Sequence, residues 1–199
     1  SYLAQMGENS KIKVLAQSLI GLLRMTIGDI RSTITLEEEL EGVRQYINIQ
    51  NIRYGNTLRE SIYAEPEIME CKILKLLLQP IVENAIIHGI APLSASGIVM
   101  IYGKRDEDGI CIEISDNGVG MEAGEVERLL SDRKREGNFS EIGIANVQDR
   151  IQTLYGKKYG LAIFSQPGCG TTVEVHLPYI LSEGDEIKNE GKETEDTDC

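Results

Sequence analysis

Apolar residues recur at three- and four-residue intervals through the first half of the chain. Ile12, Leu15, Leu19, Leu22, Leu23 and Met25 fall on one side of a helix predicted over residues 9 to 28, with Lys11, Lys13, Gln17 and Arg24 mostly elsewhere. That stripe suits a helix-pairing surface or ordinary core. Thr35-Leu36-Glu37-Glu38 reads as a capping box, and Leu36, Leu40, Val43, Ile47 and Tyr54 continue the helical period, which predicts a second helix over residues 36 to 54. Gly55-Asn56 stops it, residues 58 to 64 alternate like a strand, and Pro66 leads to a third predicted helix over residues 72 to 90. Its core face is assigned to Leu74, Leu77, Leu78, Ile81, Val82 and Ala85.

The period then shifts from helix to strand. Residues 97 to 104 and 110 to 115 alternate and are joined by Asp106-Glu107-Asp108-Gly109, a plain hairpin. Residues 122 to 140 are polar, with only Val126, Leu129 and Leu130 marking a short helix, and read as a lid. A helix over residues 144 to 155 ends at Gly156, and strands 161 to 165 and 171 to 177 flank the turn Gln166-Pro167-Gly168-Cys169-Gly170. The expected fold is an α/β two-layer sandwich: a mixed, mostly antiparallel sheet with helices on one face, plus an N-terminal helical segment. The expected division is 1–56 helical, 57–181 sandwich and 182–199 tail.

Charge changes the picture only at the end. The chain has 199 residues and a formal charge of -12. Residues 182 to 199 contribute half of that charge with almost nothing apolar to bury, which predicts a disordered, solvated tail. The remaining body is mildly acidic, which argues against nucleic-acid binding through a basic surface. Cys71, Cys111, Cys169 and Cys199 lack metal-type spacing, and the first two read as small buried apolar residues, so a reducing cytoplasmic setting is expected. No apolar run approaches the roughly eighteen residues that cross a bilayer, so no direct membrane contact is expected of this segment, although a longer parent can be anchored. The abrupt start inside a helical pattern suggests a piece of such a parent.

Two segments carry chemistry. Asn84 and His88 lie one helical turn apart on a face the core does not claim, and an amide oxygen there can ligate a magnesium ion carried by a nucleoside triphosphate. Asp116-Asn117-Gly118-Val119-Gly120-Met121 supplies a hydrogen-bond-accepting carboxylate and two glycines that let backbone approach a flat ligand. A lone Asp-x-Gly-x-Gly occurs in many hairpin turns; four ordered boxes are more specific. They are Glu83-Asn84-Ala85-Ile86-Ile87-His88-Gly89, Asp116 to Met121, Ile142-Gly143-Ile144-Ala145-Asn146-Val147, and Gly170-Thr171-Thr172-Val173.

These boxes resemble the ATP-binding domain shared by histidine kinases, type II topoisomerases, mismatch-repair ATPases and heat-shock chaperones. Gln79-Pro80-Ile81-Val82-Glu83-Asn84-Ala85 and Thr35-Leu36-Glu37-Glu38-Glu39-Leu40 narrow the resemblance to sensor histidine kinases of the LytS/YesM type, over residues 10 to 180. The resemblance implies ATP and Mg2+ as ligands, with Asn84 holding the metal and Asp116 accepting the adenine amine. It implies Gly118, Gly120 and Met121 beside the base, Thr171 or Thr172 bonding adenine directly or through water, and Gly143 and Ile144 beginning a helix that meets the phosphates. His88 is either a phosphate- or sugar-side contact or a packed helix-end histidine. Glu83 takes an indirect catalytic role such as binding a metal-bound water.

Some positions depart from the pattern. Ile87 stands where many relatives carry a lysine and Glu141 where a glycine is usual, and both weaken phosphate binding; Arg133, Lys134 and Arg135 are candidates to restore positive charge. Pro80 stands where hydrolysing relatives carry a glutamate base, which favours transfer over hydrolysis. Neither His88 nor His176 suits the phosphoacceptor role, which the resemblance places on a helix before residue 1. Implied partners are a response-regulator receiver domain and a second copy in a homodimer, with residues 1–56 the remnant of the dimerisation and phosphotransfer region. The alternatives are an ATP-gated interaction module without transfer, and an ATPase of the same superfamily.

Overall fold

The structure, a computed structural model, describes residues 32–93, 96–131 and 141–181. The predicted helix over 9 to 28, the acidic tail and the basic residues 133 to 135 lie outside the described residues, as does the side chain of Glu141.

The capping box forms as its sequence dictates. The Thr35 hydroxyl accepts from the Glu38 N–H at 3.1 Å and the Glu38 carboxylate accepts from the Thr35 N–H at 2.9 Å, which starts helix α1 (Leu36–Arg53). Just ahead of it, β1 (Thr33–Thr35) pairs antiparallel with β3 (Lys72–Leu74). The main sheet has five strands in the order β2-β4-β5-β7-β6. Strand β2 (Leu58–Ala64) lies parallel to β4 (Gly97–Asp106) at one edge. Strands β5 (Gly109–Asp116), β6 (Gly160–Ser165) and β7 (Thr171–Leu177) complete it in antiparallel pairs, the predicted hairpin closing on the register Asp106 to Gly109.

Alternation on the strands decides which face is covered. On β4, Val99 and Ile101 are buried while Ile98, Met100 and Tyr102 are exposed. The buried face, with Ile112, Ile114, Val173 and Val175, meets a helix layer contributing Leu36, Val43 and Ile47 of α1, Ile81 and Val82 of α2 (Gln79–Asn84), and Val147 and Ile151 of a C-terminal helix. This is the expected two-layer sandwich. Helix α1 belongs to the same core as the sheet.

One predicted element is not continuous. The helix expected over residues 72 to 90 is divided into β3, a turn at residues 75 to 78, α2, and a wide π-type turn Ala85–Ile90 that passes into a 3-10 turn Ala91–Leu93. At the break, Leu76 adopts φ 55, a left-handed conformation that costs a leucine on the order of 1–3 kcal/mol and persists only where surroundings hold it. Glu39, on α1 and fully buried, accepts the N–H groups of Leu76 and Leu78, each at 2.9 Å. From the other side, the Arg150 guanidinium donates to the Leu76 carbonyl at 3.0 Å and to that of Lys75. Tertiary hydrogen bonds thus override the local helical pattern. The residues assigned to the core are all buried despite the changed backbone.

Candidate functional site

A cavity of about 420 Å³ opens between the sheet and the helix layer. Asn84 reaches it from the C-terminal end of α2, and His88 from the π-type turn that continues the helix. Such widened turns commonly mark functional sites because they re-aim side chains out of the regular period. Opposite, β5 ends at Asp116, which also faces the cavity.

The loop after Asp116 is fixed by close backbone approach. Asp116 Oδ1 accepts the Gly118 N–H at 2.7 Å, and the Val119 N–H donates to the Gly89 carbonyl at 2.9 Å. A Cβ on Gly89 would stand 2.8 Å from Asp116 Oδ1, and one on Gly118 would overlap the Gly89 backbone. Gly118 therefore requires glycine, and a side chain at Gly89 would displace the Asp116 carboxylate. Gly120 has φ 68, and a side chain there would collide with the Gln166 carbonyl.

Asn84, His88, Asp116, Gly120, Met121, Ile144 and Thr171 line the cavity. Four other residues singled out from sequence stand outside its lining. Gly118 supports the loop beneath Asp116. Gly143, near the start of helix α4 (Glu141–Tyr155), lies beside the site, where a Cβ would stand 4.0 Å from Asn84 Nδ2 and 3.6 Å from Pro80. Thr172 points to the opposite sheet face, as alternation on β7 demands, and its Oγ1 sits 2.9 Å from Ser115 Oγ. Glu83 acts toward α1: after burial, its charge is the second cause that raises the pKa of the buried Tyr46 phenol.

Other contributors were not apparent from the motifs. Ser165 Oγ accepts the Met121 N–H at 2.9 Å and donates to the Gly170 carbonyl at 2.9 Å. Its single proton is thereby used, so the Thr171 hydroxyl, 2.9 Å away, donates to Ser165 and keeps its lone pairs for a ligand. Helix α3 (Ala123–Ser131), the described part of the predicted lid, brings Glu125, Arg128 and Leu129 to the cavity. The Arg128 side chain also donates to the Gly124 carbonyl at 2.8 Å. Glu125, Arg128 and Leu129 stand at i, i+3 and i+4 and so share one helix face, but which face meets the cavity is set by docking.

Two polar groups stand out among apolar walls of Ile81, Ala85, Ile114, Ile144, Ile163 and Val173. Burial pushes the Asp116 carboxyl up to about 6, only partly offset by the N–H groups of Gly118 and Thr171. Asn84 Nδ2 is buried without a hydrogen-bond partner among the described residues. A buried amide nitrogen left unmatched is costly, so an acceptor brought into the cavity would satisfy it. The arrangement provides an apolar slot for a flat heterocycle, a carboxylate to accept from it, and a polar rim carrying a cation.

A layered α/β nucleotide site of this kind defines a class, and the comparisons specify it. The profile of the histidine kinase-, DNA gyrase B- and HSP90-like ATPases matches residues 71–180, and a histidine kinase profile matches residues 1–58. The chain belongs to this ATPase family, in its sensor histidine kinase branch. It is 33% identical over 178 residues to the sensor histidine kinase YesM of Bacillus subtilis, covering 89% of this chain and 30% of the relative. It is 36% identical over 146 residues to the sensor histidine kinase YpdA of Escherichia coli, covering 73% of this chain and 24% of that one. The chain thus spans about a quarter to a third of the length of these curated relatives. Among solved structures, the mycobacterial sensor histidine kinase MprB superposes with a TM-score of 0.57 at 14% identity, covering 76% of this chain and 99% of that one. The histidine kinase domain of the blue-light activated kinase of Erythrobacter litoralis gives 0.53 at 18% identity, covering 85% and 75%. At such identities these two show the fold. Among the described residues no helix is long and apolar enough to cross a membrane.

Proposed function

We propose that this chain is the phosphoryl-donor part of a two-component sensor kinase, passing the γ-phosphoryl of Mg-ATP to a histidine outside its own 199 residues. The observation that carries this reading is the presence in one cavity of a half-buried carboxylate, Asp116, and an amide, Asn84, whose buried nitrogen has no partner among the described residues. Asp116 accepts the exocyclic amine of adenine and disfavours guanine, whose carbonyl would meet the carboxylate repulsively. Thr171, with acceptor capacity left over, supports the same ring edge directly or through water. Magnesium fits the donor set: it takes oxygen ligands, usually one or two from protein, and half a turn of the Asn84 amide puts its oxygen where the unmatched nitrogen stands. When bound, the ion neutralises charge on the β- and γ-phosphates.

The chain's own residues then position rather than react. Gly89 and Gly120 line the slot with backbone, Gly118 lets the loop pass beneath Asp116, His88 and Arg128 line the rim, and Gly143 lies beside Asn84. Pro80, close to Gly143 and one turn before Asn84, has no group that activates water, which supports transfer in place of hydrolysis. Of the two histidines, His88 belongs to the cavity wall and His176 to β7, away from the cavity lining, so an acceptor must come from elsewhere in a longer, dimeric, membrane-anchored kinase. A receiver domain takes the phosphoryl group next.

The test mixes the chain with Mg2+ and γ-labelled ATP, with and without a separate acceptor-histidine domain from a YesM-type relative. Acid-labile label is expected on the added domain alone, and is expected to vanish in Asn84→Ala. Stable label on this chain, or release of free phosphate without transfer, overturns the proposal.

A further inference from the structure

The open face of the sheet carries a second constellation, remote from the cavity and unused by phosphoryl transfer. Cys111 on β5 is the direct cross-strand partner of His176 on β7, and Glu174 precedes His176 by two residues on the same face. One ligand atom from each, the Cys111 thiol, a His176 nitrogen and a Glu174 oxygen, all lie within 4.8 Å of one another. His176 Nε2 is 3.2 Å from Glu174 Oε2, and its other nitrogen, Nδ1, is 3.9 Å from Asp106 Oδ2. From these contacts the geometry points to a divalent transition-metal site, of the zinc class, with Cys111, Glu174 and His176 as ligands and Asp106 orienting the imidazole.

Charge, chemistry and dimensions support it. Glu113 stands directly across from Glu174, and like charges in that relation destabilise a sheet unless something offsets them. Asp106 adds a third carboxylate, while Lys104 is the cross-strand neighbour of Cys111. A divalent cation meets this excess, and a set of one thiolate, one imidazole and one carboxylate suits zinc or cobalt over magnesium or calcium. Metal–ligand bonds of about 2.0–2.3 Å put tetrahedral ligand atoms roughly 3.3–3.8 Å apart, so side-chain rotation of the order of 1 Å closes the site, with water in the fourth position. A carboxylate hydrogen-bonded to the far nitrogen of a ligating histidine is the usual outer contact, and Asp106, 3.9 Å from that nitrogen, needs only a small rotation to make it. Ligation by Cys111 requires loss of the thiol proton, so binding is expected to release a proton to solvent.

The test uses the whole chain in a Cys169→Ser, Cys199→Ser background, without nucleotide, titrated with Co2+ and then displaced with Zn2+. One equivalent is expected to give a sulfur-to-cobalt charge-transfer band and tetrahedral visible bands, absent in Cys111→Ser. His176→Ala, at a half-exposed position that spares the core, is expected to weaken binding at least tenfold, and Asp106→Asn by about tenfold to a hundredfold. Zn2+ is expected to raise the melting temperature of the background protein and not that of His176→Ala. Absence of the band, or binding that survives both Cys111→Ser and His176→Ala, overturns the assignment.

Discussion

Removing the Glu39 carboxylate tests the physical account of the break that sets Asn84 in place. In Glu39→Ala the N–H groups of Leu76 and Leu78 lose acceptors at 2.9 Å in the interior. An unsatisfied buried donor costs on the order of 1–3 kcal/mol, and the part-buried Leu76 N–H less; relief of Leu76 strain and of carboxylate burial offsets part, leaving about 1–3 kcal/mol. Glu39→Gln keeps one acceptor oxygen and is expected to cost about half as much. Urea unfolding followed by far-ultraviolet circular dichroism measures both, with an unchanged dependence on denaturant required for the comparison. The pH dependence has a definite sign. Burial is the largest influence on Glu39 and holds its carboxyl above the ordinary carboxylate value, so through that window the folded chain binds a proton the unfolded chain lacks. Its contribution to stability is full below the unfolded value and declines as pH rises through the folded one. Asp116 shifts in the same direction but is common to both proteins, so the difference between wild type and Glu39→Gln isolates Glu39. A Glu39→Ala protein within about 0.5 kcal/mol of wild type, the scatter of unremarkable surface changes, refutes the account.

Four further outcomes concern the cavity. Asp116→Asn is expected to abolish measurable ATP binding in calorimetry while leaving the circular dichroism spectrum intact. In the wild type, affinity for ATP is expected to fall as pH drops below about 6, where Asp116 takes up its proton and stops accepting, and the ATP affinity of the chain at pH 8 compared with pH 5.5 checks this. Asn84→Ala is expected to remove most of the gain in ATP affinity that Mg2+ brings, with adenosine binding unchanged, read by titration with and without the ion. Arg128→Gln is expected to weaken ATP several-fold and adenosine hardly at all, since it removes a rim cation without touching the adenine slot.

The parts legible in sequence were those with local causes. Thr35 and Glu38 cap a helix by their own side chains, the Asp106 to Gly109 turn closes a hairpin, and Asp116 with its glycines announces a close backbone approach. Residues 74 to 78 carry no local signal for the break, because four leucines in a mostly buried stretch satisfy a helix, a strand and a turn equally. Their backbone is decided by Glu39 and Arg150, which lie 37 and 74 residues from Leu76. Between the adjacent threonines the alternation of β7 makes the choice: Thr171 faces the cavity and Thr172 the open sheet face. Linear sequence does not distinguish Arg128 from the basic cluster at 133 to 135, because helix phase relative to a cavity exists only once the helix is docked. The Cys111, Glu174 and His176 cluster was invisible because cross-strand register, absent from linear spacing, brings residues 111 and 176 together.

Helix α1 falls within the stretch matched by the histidine kinase profile, yet Leu36, Val43 and Ile47 lie in the same core as Ile81 and Ile114. A protein trimmed to begin at residue 57 would therefore lose one wall of its interior together with both acceptors of the Leu76 turn. For expression and crystallisation, the smallest self-sufficient nucleotide-binding piece starts at or before Ser32, well upstream of the residue at which the ATPase profile begins.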